Sequence, residues 1–346
     1  MRRLVCGLVL MSAMAAGAQG VVLKEDAAAH RVDVTIDGTP FTSYLWQTNQ
    51  RKPVLYPLVA PDGTTVTRGY PFAMRPGERV DHPHHAGLWF NYGNANGFDF
   101  WNNSDAIPEA QRPKYGTITQ DRIVSVKSGK NVGELTVEST WTTGAGDKIL
   151  LQTTTYSFVR SNIGGTPARF IDMKVTLKAL APVVFHDDKE GVLGIRVAHF
   201  LESPTEKGGV FMDANGKPTQ VAAADPAGAT GVYHTSEGKT GDAVWSTRGK
   251  WCTLSGTTAD GKAETIAIFD HTGNPGYPAY WHARGYGLFA VNPLGAHIFD
   301  PKAPALNFSI AKGESATFRY RIAILSGTVD DAAMNKAASS FDEVKR

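Results

Sequence analysis

The sequence predicts a mostly β protein, in which two packed antiparallel sheets form one large β-sandwich closed by a C-terminal helix. Three observations carry this. Short β-branched and aromatic runs recur along the 346 residues between turn residues. Several runs alternate apolar and polar with a period of two, as Thr136-Val137-Glu138-Ser139-Thr140-Trp141 does. Helix signals are almost confined to the last segment.

The N-terminus reads as a secretory leader. Arg2 and Arg3 precede a short apolar run over residues 4–16, and Ala16-Gly17-Ala18 supplies small residues for cleavage. Residues 1–18 are therefore expected to be a signal peptide and residues 19–346 one sandwich domain, periplasmic or secreted after cleavage near Ala18. Of 35 Lys and Arg, the loss of Arg2 and Arg3 leaves 33 against 33 Asp and Glu. Such a neutral chain offers no bulk field for nucleic acid or an anionic membrane. Cys6 leaves with the leader, and Cys252 alone makes no internal disulfide, so it reads as a small core residue. No later stretch is long and apolar enough for a membrane-spanning helix.

Strands are expected over residues 31–36, 41–46, 54–58, 117–126, 134–142, 148–159, 170–177, 264–269, 288–291 and 316–324. Pro57 demotes the third to an edge strand at best. Turns fall at Asp37-Gly38, Pro61-Asp62-Gly63 and Asn162-Ile163-Gly164-Gly165. Residues 203–248, rich in Gly, Ala, Thr and Asp, read as an insertion of long loops over one end of the sandwich. Residues 330–344 carry the helix, with Met334, Ala337, Ala338 and Phe341 as its apolar stripe. Thr328 and Asp331 form a capping-box-like start.

Three constellations can carry chemistry. The first holds Asp81-His82-Pro83-His84-His85 and continues through Trp89, Asn91, Asp99 and Trp101; three of the ten histidines fall within four residues. On a strand, His82 and His84 would share a face and suit a metal, or an acid and a base flanking a substrate. The bland alternative is a hydrogen-bonded corner of the sheet. His-x-His also invites comparison with the cupin metal site, but Leu88 and Trp89 stand where that pattern needs a glutamate. No cofactor is therefore expected, with a divalent metal on His82, His84 and a distant carboxylate as the alternative.

The second constellation is His186-Asp187-Asp188-Lys189-Glu190, leading into a strand that projects Arg196. Glu190 is the preferred acid or base, because a carboxylate beside a cation and buried aromatics is readily tuned; a polar turn is the plain reading. The third runs Asp270-His271 through a Pro/Gly loop to Tyr280-Trp281-His282-Ala283-Arg284. Its aromatics suit the face of a sugar, with His282 and Arg284 bonding hydroxyls, unless they are core. No phosphate loop, dinucleotide fingerprint, Gly-x-Ser-x-Gly elbow or zinc-type cysteine pairing is present.

These runs (His82-Pro-His84-His85-x-Gly-Leu-Trp-Phe, Lys189-Glu190-Gly191-x-x-Gly194-Ile-Arg196-Val, Phe269-Asp270-His271-x-x-Asn274-Pro and Tyr280-Trp-His282-x-Arg284) resemble the exported "PmoA family" of bacterial proteins across the mature chain. Ala86 departs from that pattern, where a larger basic residue is expected. The methane oxygenase activity suggested by that label is rejected, since that subunit is built from transmembrane helices. The resemblance implies saccharide-degrading company and a layout similar to the large sandwiches of sugar mutarotases and glycoside-active enzymes. A jelly-roll-like sandwich is the other form considered. The expected function is a periplasmic carbohydrate-active enzyme, first a glycoside hydrolase, with Glu190, His84, His282, Asp187 and Asp270 as catalytic candidates. His82, His85, Trp89, Asn91, Asp99, Trp101, Lys189, Arg196, His271, Tyr280, Trp281 and Arg284 would bind the saccharide. A sugar lyase, an epimerase or mutarotase, a non-catalytic saccharide binder and a cupin-like metal enzyme are the alternatives.

Overall fold

The computed structural model describes residues 20–47, 49–224 and 227–344; the expected leader lies outside them. The described residues form twenty strands, β1 to β20 in chain order. One eight-stranded sheet takes, in spatial order, β1 (Val21–Asp26), β2 (Arg31–Ile36), β3 (Thr39–Leu45), β4 (Val54–Leu55), β5 (Leu88–Tyr92), β11 (Gly191–Arg196), β18 (Leu288–Asn292) and β17 (Tyr280–Arg284). The other runs β14 (Val232–Thr235), β15 (Trp251–Thr257), β16 (Ala263–Asp270), β20 (Ser315–Ser326), β9 (Thr166–Ala179), β8 (Lys148–Ile163), β7 (Val132–Thr142) and β6 (Thr117–Lys127). Two small pairs complete the set, β10 (Val183–Phe185) with β19 (Phe308–Ile310), and β12 (Lys207–Met212) with β13 (Pro218–Ala223). All these pairings are antiparallel.

The inner faces of the two sheets meet in one apolar core. Phe41 packs edge-on against Phe158 at 6.1 Å, and Phe90 lies 5.7 Å from Phe318. Each such side chain, fully buried, stabilises the fold by roughly 1.5–3 kcal/mol. Period-two alternation sorts the faces. In β16, Ile266 and Ile268 enter the sandwich core, while Ala267 and Phe269 turn outward beneath the C-terminal helix (Asp331–Asp342). That helix buries Met334 and Phe341. Its cap is Asp330, whose side chain accepts from the Ala333 amide at 2.8 Å, so the expected Thr328–Asp331 box is displaced by two residues.

Two other expectations need correction. The strand expected over residues 54–58 is only Val54–Leu55, which ends before Pro57, and it sits inside the first sheet between β3 and β5 rather than at an edge. The region expected as long loops contains the β12–β13 hairpin and β14, an edge strand of the second sheet. The hairpin is largely solvated on both faces, so its sequence lacks the alternation that a half-buried strand shows. No helix among the described residues is long and apolar enough to cross a membrane.

Candidate functional site

The last four strands of the first sheet, β5, β11, β18 and the edge strand β17, set the site. Register aligns Trp89 of β5, Gly194 of β11, Ala290 of β18 and His282 of β17 in one row across the outer face. Arg196 and Arg284 share that face two residues along. Trp281 points the opposite way, into the sandwich core at 0 % exposure, and is not available as a stacking surface. Gly194 is required by close approach: a Cβ there would stand 2.6 Å from Cζ2 of Trp89 and 2.9 Å from Cη2 of Trp101. Both indoles are themselves buried, so neither offers a free face to a ligand.

The histidine motif is not a strand. Pro83 and a positive φ of 44° at His82 fold residues 82–85 into a turn, closed by His85 N–H donating to the His82 carbonyl at 2.9 Å. The paired rings are therefore His82 and His85, stacked at 4.8 Å, and not His82 and His84. Tyr286 stacks on the other side of the array, 5.2 Å from His82, and His85 lies 5.3 Å from Trp89. His84 stands edge-on to both histidines. Among the described residues, no group of three or more His, Cys, Asp or Glu side chains is placed to hold a metal ion.

Buried charges hold this array. Asp81 Oδ1 accepts from Arg68 Nη1 at 2.6 Å, and lies 2.8 Å from Arg196 Nη2 and 3.2 Å from His82 Nδ1. Burial alone would raise the Asp81 pKa; the His82 bond and the two guanidinium charges outweigh it and hold the carboxyl below its usual range. Arg196 Nη1 donates to His85 Nδ1 at 3.4 Å, which puts the His85 proton on Nε2. Lys52, which the sequence reading missed, is 2 % exposed, donates to the His84 carbonyl at 2.7 Å and lies over Trp89. Burial lowers its pKa to about 7, with Asp99 partly offsetting.

Beyond Tyr286, Gly93 lets the next segment close in: a Cβ there would come within 2.8 Å of Glu190 Cβ and 3.1 Å of Asp188 Cγ. Glu190 pairs with the ammonium of Lys189, and its Oε2 lies 3.7 Å from His282 Nδ1. That nitrogen donates to the Lys189 carbonyl at 2.9 Å, which leaves Nε2 with the lone pair. Burial raises the Glu190 pKa against the opposing effect of Lys189. Burial, and then the Lys189 charge, lowers His282 to about 3. Trp245 caps His282 edge-on at 4.8 Å, and Arg284 lies over Trp245 at 4.6 Å.

Other expected residues serve the architecture. Asp187 accepts from the amides of His297, Leu306 and Asn307, and Asp99 from those of Trp101 and Asn102. Asn91 donates to the Phe100 carbonyl, and Tyr280 is stacked under Phe299 at 5.1 Å. Asp270 and His271 lie at the end of β16 in the second sheet. Asp270 staples the following loop through Asn274 and the Ala279 amide, and burial raises its pKa to about 7. His271 packs on Phe341.

In overall shape the chain is similar to a galactose 1-epimerase from Lactobacillus acidophilus NCFM (10 % identity, TM-score 0.36), covering 90 % of this chain and 100 % of that one. It is also similar to a galactose mutarotase-like protein from Clostridium acetobutylicum (11 % identity, TM-score 0.34), covering 89 % and 98 %. Likeness this distant assigns no activity to the chain. No curated protein matches it in sequence. The family expected from the sequence motifs is overturned, because the family model that matches residues 31–339 is a different one. The chain belongs to the family of unknown function DUF6807.

Proposed function

We propose that the protein is a carbohydrate-active enzyme that moves protons on a sugar without adding water, an aldose epimerase or mutarotase in reaction type. One observation carries this reading. Of the acidic residues around the site, Asp99, Asp187 and Asp188 each accept from backbone amides and Asp81 is held by Arg68 and Arg196, whereas Glu190 meets Lys189 and His282. A carboxylate held by neither backbone amides nor arginines, beside a neutral imidazole, suits proton exchange at one anomeric centre. Hydrolysis of a glycoside in its usual form asks for two working carboxyl groups roughly 5–9.5 Å apart.

In the proposed reaction Glu190 takes the proton of the anomeric hydroxyl as the bond from C1 to the ring oxygen breaks. His82, exposed at the surface with its Nδ1 proton on Asp81, acts as the imidazolium, giving its second proton from Nε2 to the ring oxygen and becoming neutral. Rotation about C1–C2 and the reverse transfers close the ring as the other anomer, with both residues restored. His282, fixed on the Lys189 carbonyl, positions Glu190. Asp188 supports the second reading, hydrolysis, since its carboxyl group lies beside Glu190 and takes the Glu190 amide on Oδ1.

Purified protein added to freshly dissolved α-glucose and α-galactose tests this by polarimetry, with aryl glycosides followed in parallel by mass spectrometry. Faster anomer exchange, lost in Glu190→Gln, supports the proposal. Cleavage with gain of water moves the assignment to hydrolysis. No turnover in either arm sinks both.

A further inference from the structure

The mostly solvated hairpin β12–β13 contributes little to the core, yet it is fixed in place. The Val80 amide donates to the Val210 carbonyl at 2.8 Å, and Met212 to Glu78 at 2.9 Å, so β12 pairs with the segment that leads straight into Asp81 and His82. Arg79, almost fully buried, lies over Phe211 at 4.5 Å and donates to the Lys207 carbonyl at 3.1 Å. Between the hairpin and Tyr286 is a pocket of about 450 Å³. That volume falls within the roughly 300–1,000 Å³ of small-molecule sites.

Its lining mixes donors and acceptors of both signs: His82, Ser203, Thr205, Lys207, Asp242 and Tyr286. Asp81 also borders it, but that carboxylate is committed to two arginines. A lining that holds one cation in Lys207 and one anion in Asp242, together with the hydroxyls of Ser203, Thr205 and Tyr286, suits a neutral polyhydroxyl ligand better than an anion. Tyr286 stacks on His82 in this pocket and stands in the turn that follows Arg284, at the end of the strand β17 that sets His282 3.7 Å from Glu190.

We infer that this pocket is a second sugar subsite, so that the preferred substrate is a neutral disaccharide or longer saccharide rather than a free monosaccharide. One unit lies at Glu190 and the next lies against the hairpin. This rests on the carbohydrate reading above. It also gives the hairpin a purpose, as the wall of an extended cleft held in register with His82.

Calorimetry on the Glu190→Gln protein tests it, with glucose and galactose against maltose, cellobiose and lactose. At least one disaccharide is expected to bind tenfold or more tightly than either monosaccharide. The double variant Lys207→Ala/Asp242→Ala changes two exposed side chains; it is expected to erase that advantage and leave monosaccharide affinity unchanged. Monosaccharide binding with no disaccharide advantage, or an advantage the double variant does not touch, overturns the subsite alone. Binding of none of the five overturns the carbohydrate reading and the subsite with it.

Discussion

Glu190 and His282 approach to 3.7 Å while the imidazole Nδ1 proton is already given to the Lys189 carbonyl at 2.9 Å. The contact is therefore not a committed ion pair. It leaves the carboxylate able to accept a substrate proton and the histidine able to hold its neighbour in place. Lys189 is the adjustable part, because its ammonium opposes the upward push of burial on Glu190. A base must be ionised to work, so turnover should fall as pH drops through the Glu190 pKa. Lys189→Met removes the cation that favours the ionised form and should move the acidic limb of the kcat/KM profile to higher pH. An unmoved limb would mean that Glu190 is not the base.

A second expectation concerns Asp81. Arg68 and Arg196 are 1 % and 0 % exposed in their side chains, and Asp81 is the nearest carboxylate to both, with Glu202 Oε1 at 3.9 Å from Arg196. Asp81→Asn leaves two buried guanidinium groups without their nearest anion, and breaking such a pair costs about 3–5 kcal/mol. The sign with pH follows from the lowered pKa. Its stabilising contribution is full above the unfolded value of about 3.9 and fades as pH falls through the lower folded value. Urea unfolding from pH 7 down to pH 3 should show the wild-type advantage shrinking only toward the acid end. An Asn variant as stable as wild type at pH 7 would contradict the buried network.

Much of the architecture was legible because half-buried strands announce themselves. In β7, buried and partly exposed residues alternate almost throughout, and the sequence places its end at Thr142. The strands that build the site do not alternate. β5, β11 and β18 are buried at every position, covered on one face by the sandwich core and on the other by Trp89, Trp101 and the histidine turn. A continuous buried run of five or six residues carries no period to read, so β5 was not marked out as a strand and β11 had no bounds, whereas β18 was expected over 288–291. The site was half legible for a related reason. Clusters such as His82–His85 and Asp187–Glu190 stand out in a sequence, whereas Lys52, Arg68 and Tyr286 are single residues brought in by distant loops. Equally, Asp270 and Trp281 belong to a suggestive run, but the pleat sends one to the other sheet's end and the other into the core.

Lys52 offers a stability test with the opposite sign to Asp81. It is 2 % exposed, and burial brings its pKa from 10.5 to about 7. Below pH 7 the folded protein must hold a buried ammonium. Between pH 7 and about 10.4 the unfolded chain binds more protons at this site, so stability rises with pH. Lys52→Met should be more stable than wild type at pH 6, by an amount on the order of a few kcal/mol. The two proteins should converge toward pH 10. Parallel pH profiles would show that the lysine stays charged when folded, satisfied by the His84 carbonyl and Asp99.

Gly194 gives the sharpest packing test. Its backbone sits under Trp89 and Trp101, with contacts that a methyl group would violate at 2.6 and 2.9 Å. The obstacle is two rigid ring systems at 1 % and 0 % exposure, not the tip of a flexible side chain. Gly194→Ala is therefore expected to destabilise by about 1–3 kcal/mol through overpacking. Because Trp89 stacks on His85, which stacks on His82, the displacement should also reach the exposed histidine. In imidazole NMR spectra the His82 and His85 signals should shift, and those of His234, paired with Asp331 on the other sheet, should not. If the melting temperature and the His82 signal both match wild type, the ring stack does not couple the sheet to the site.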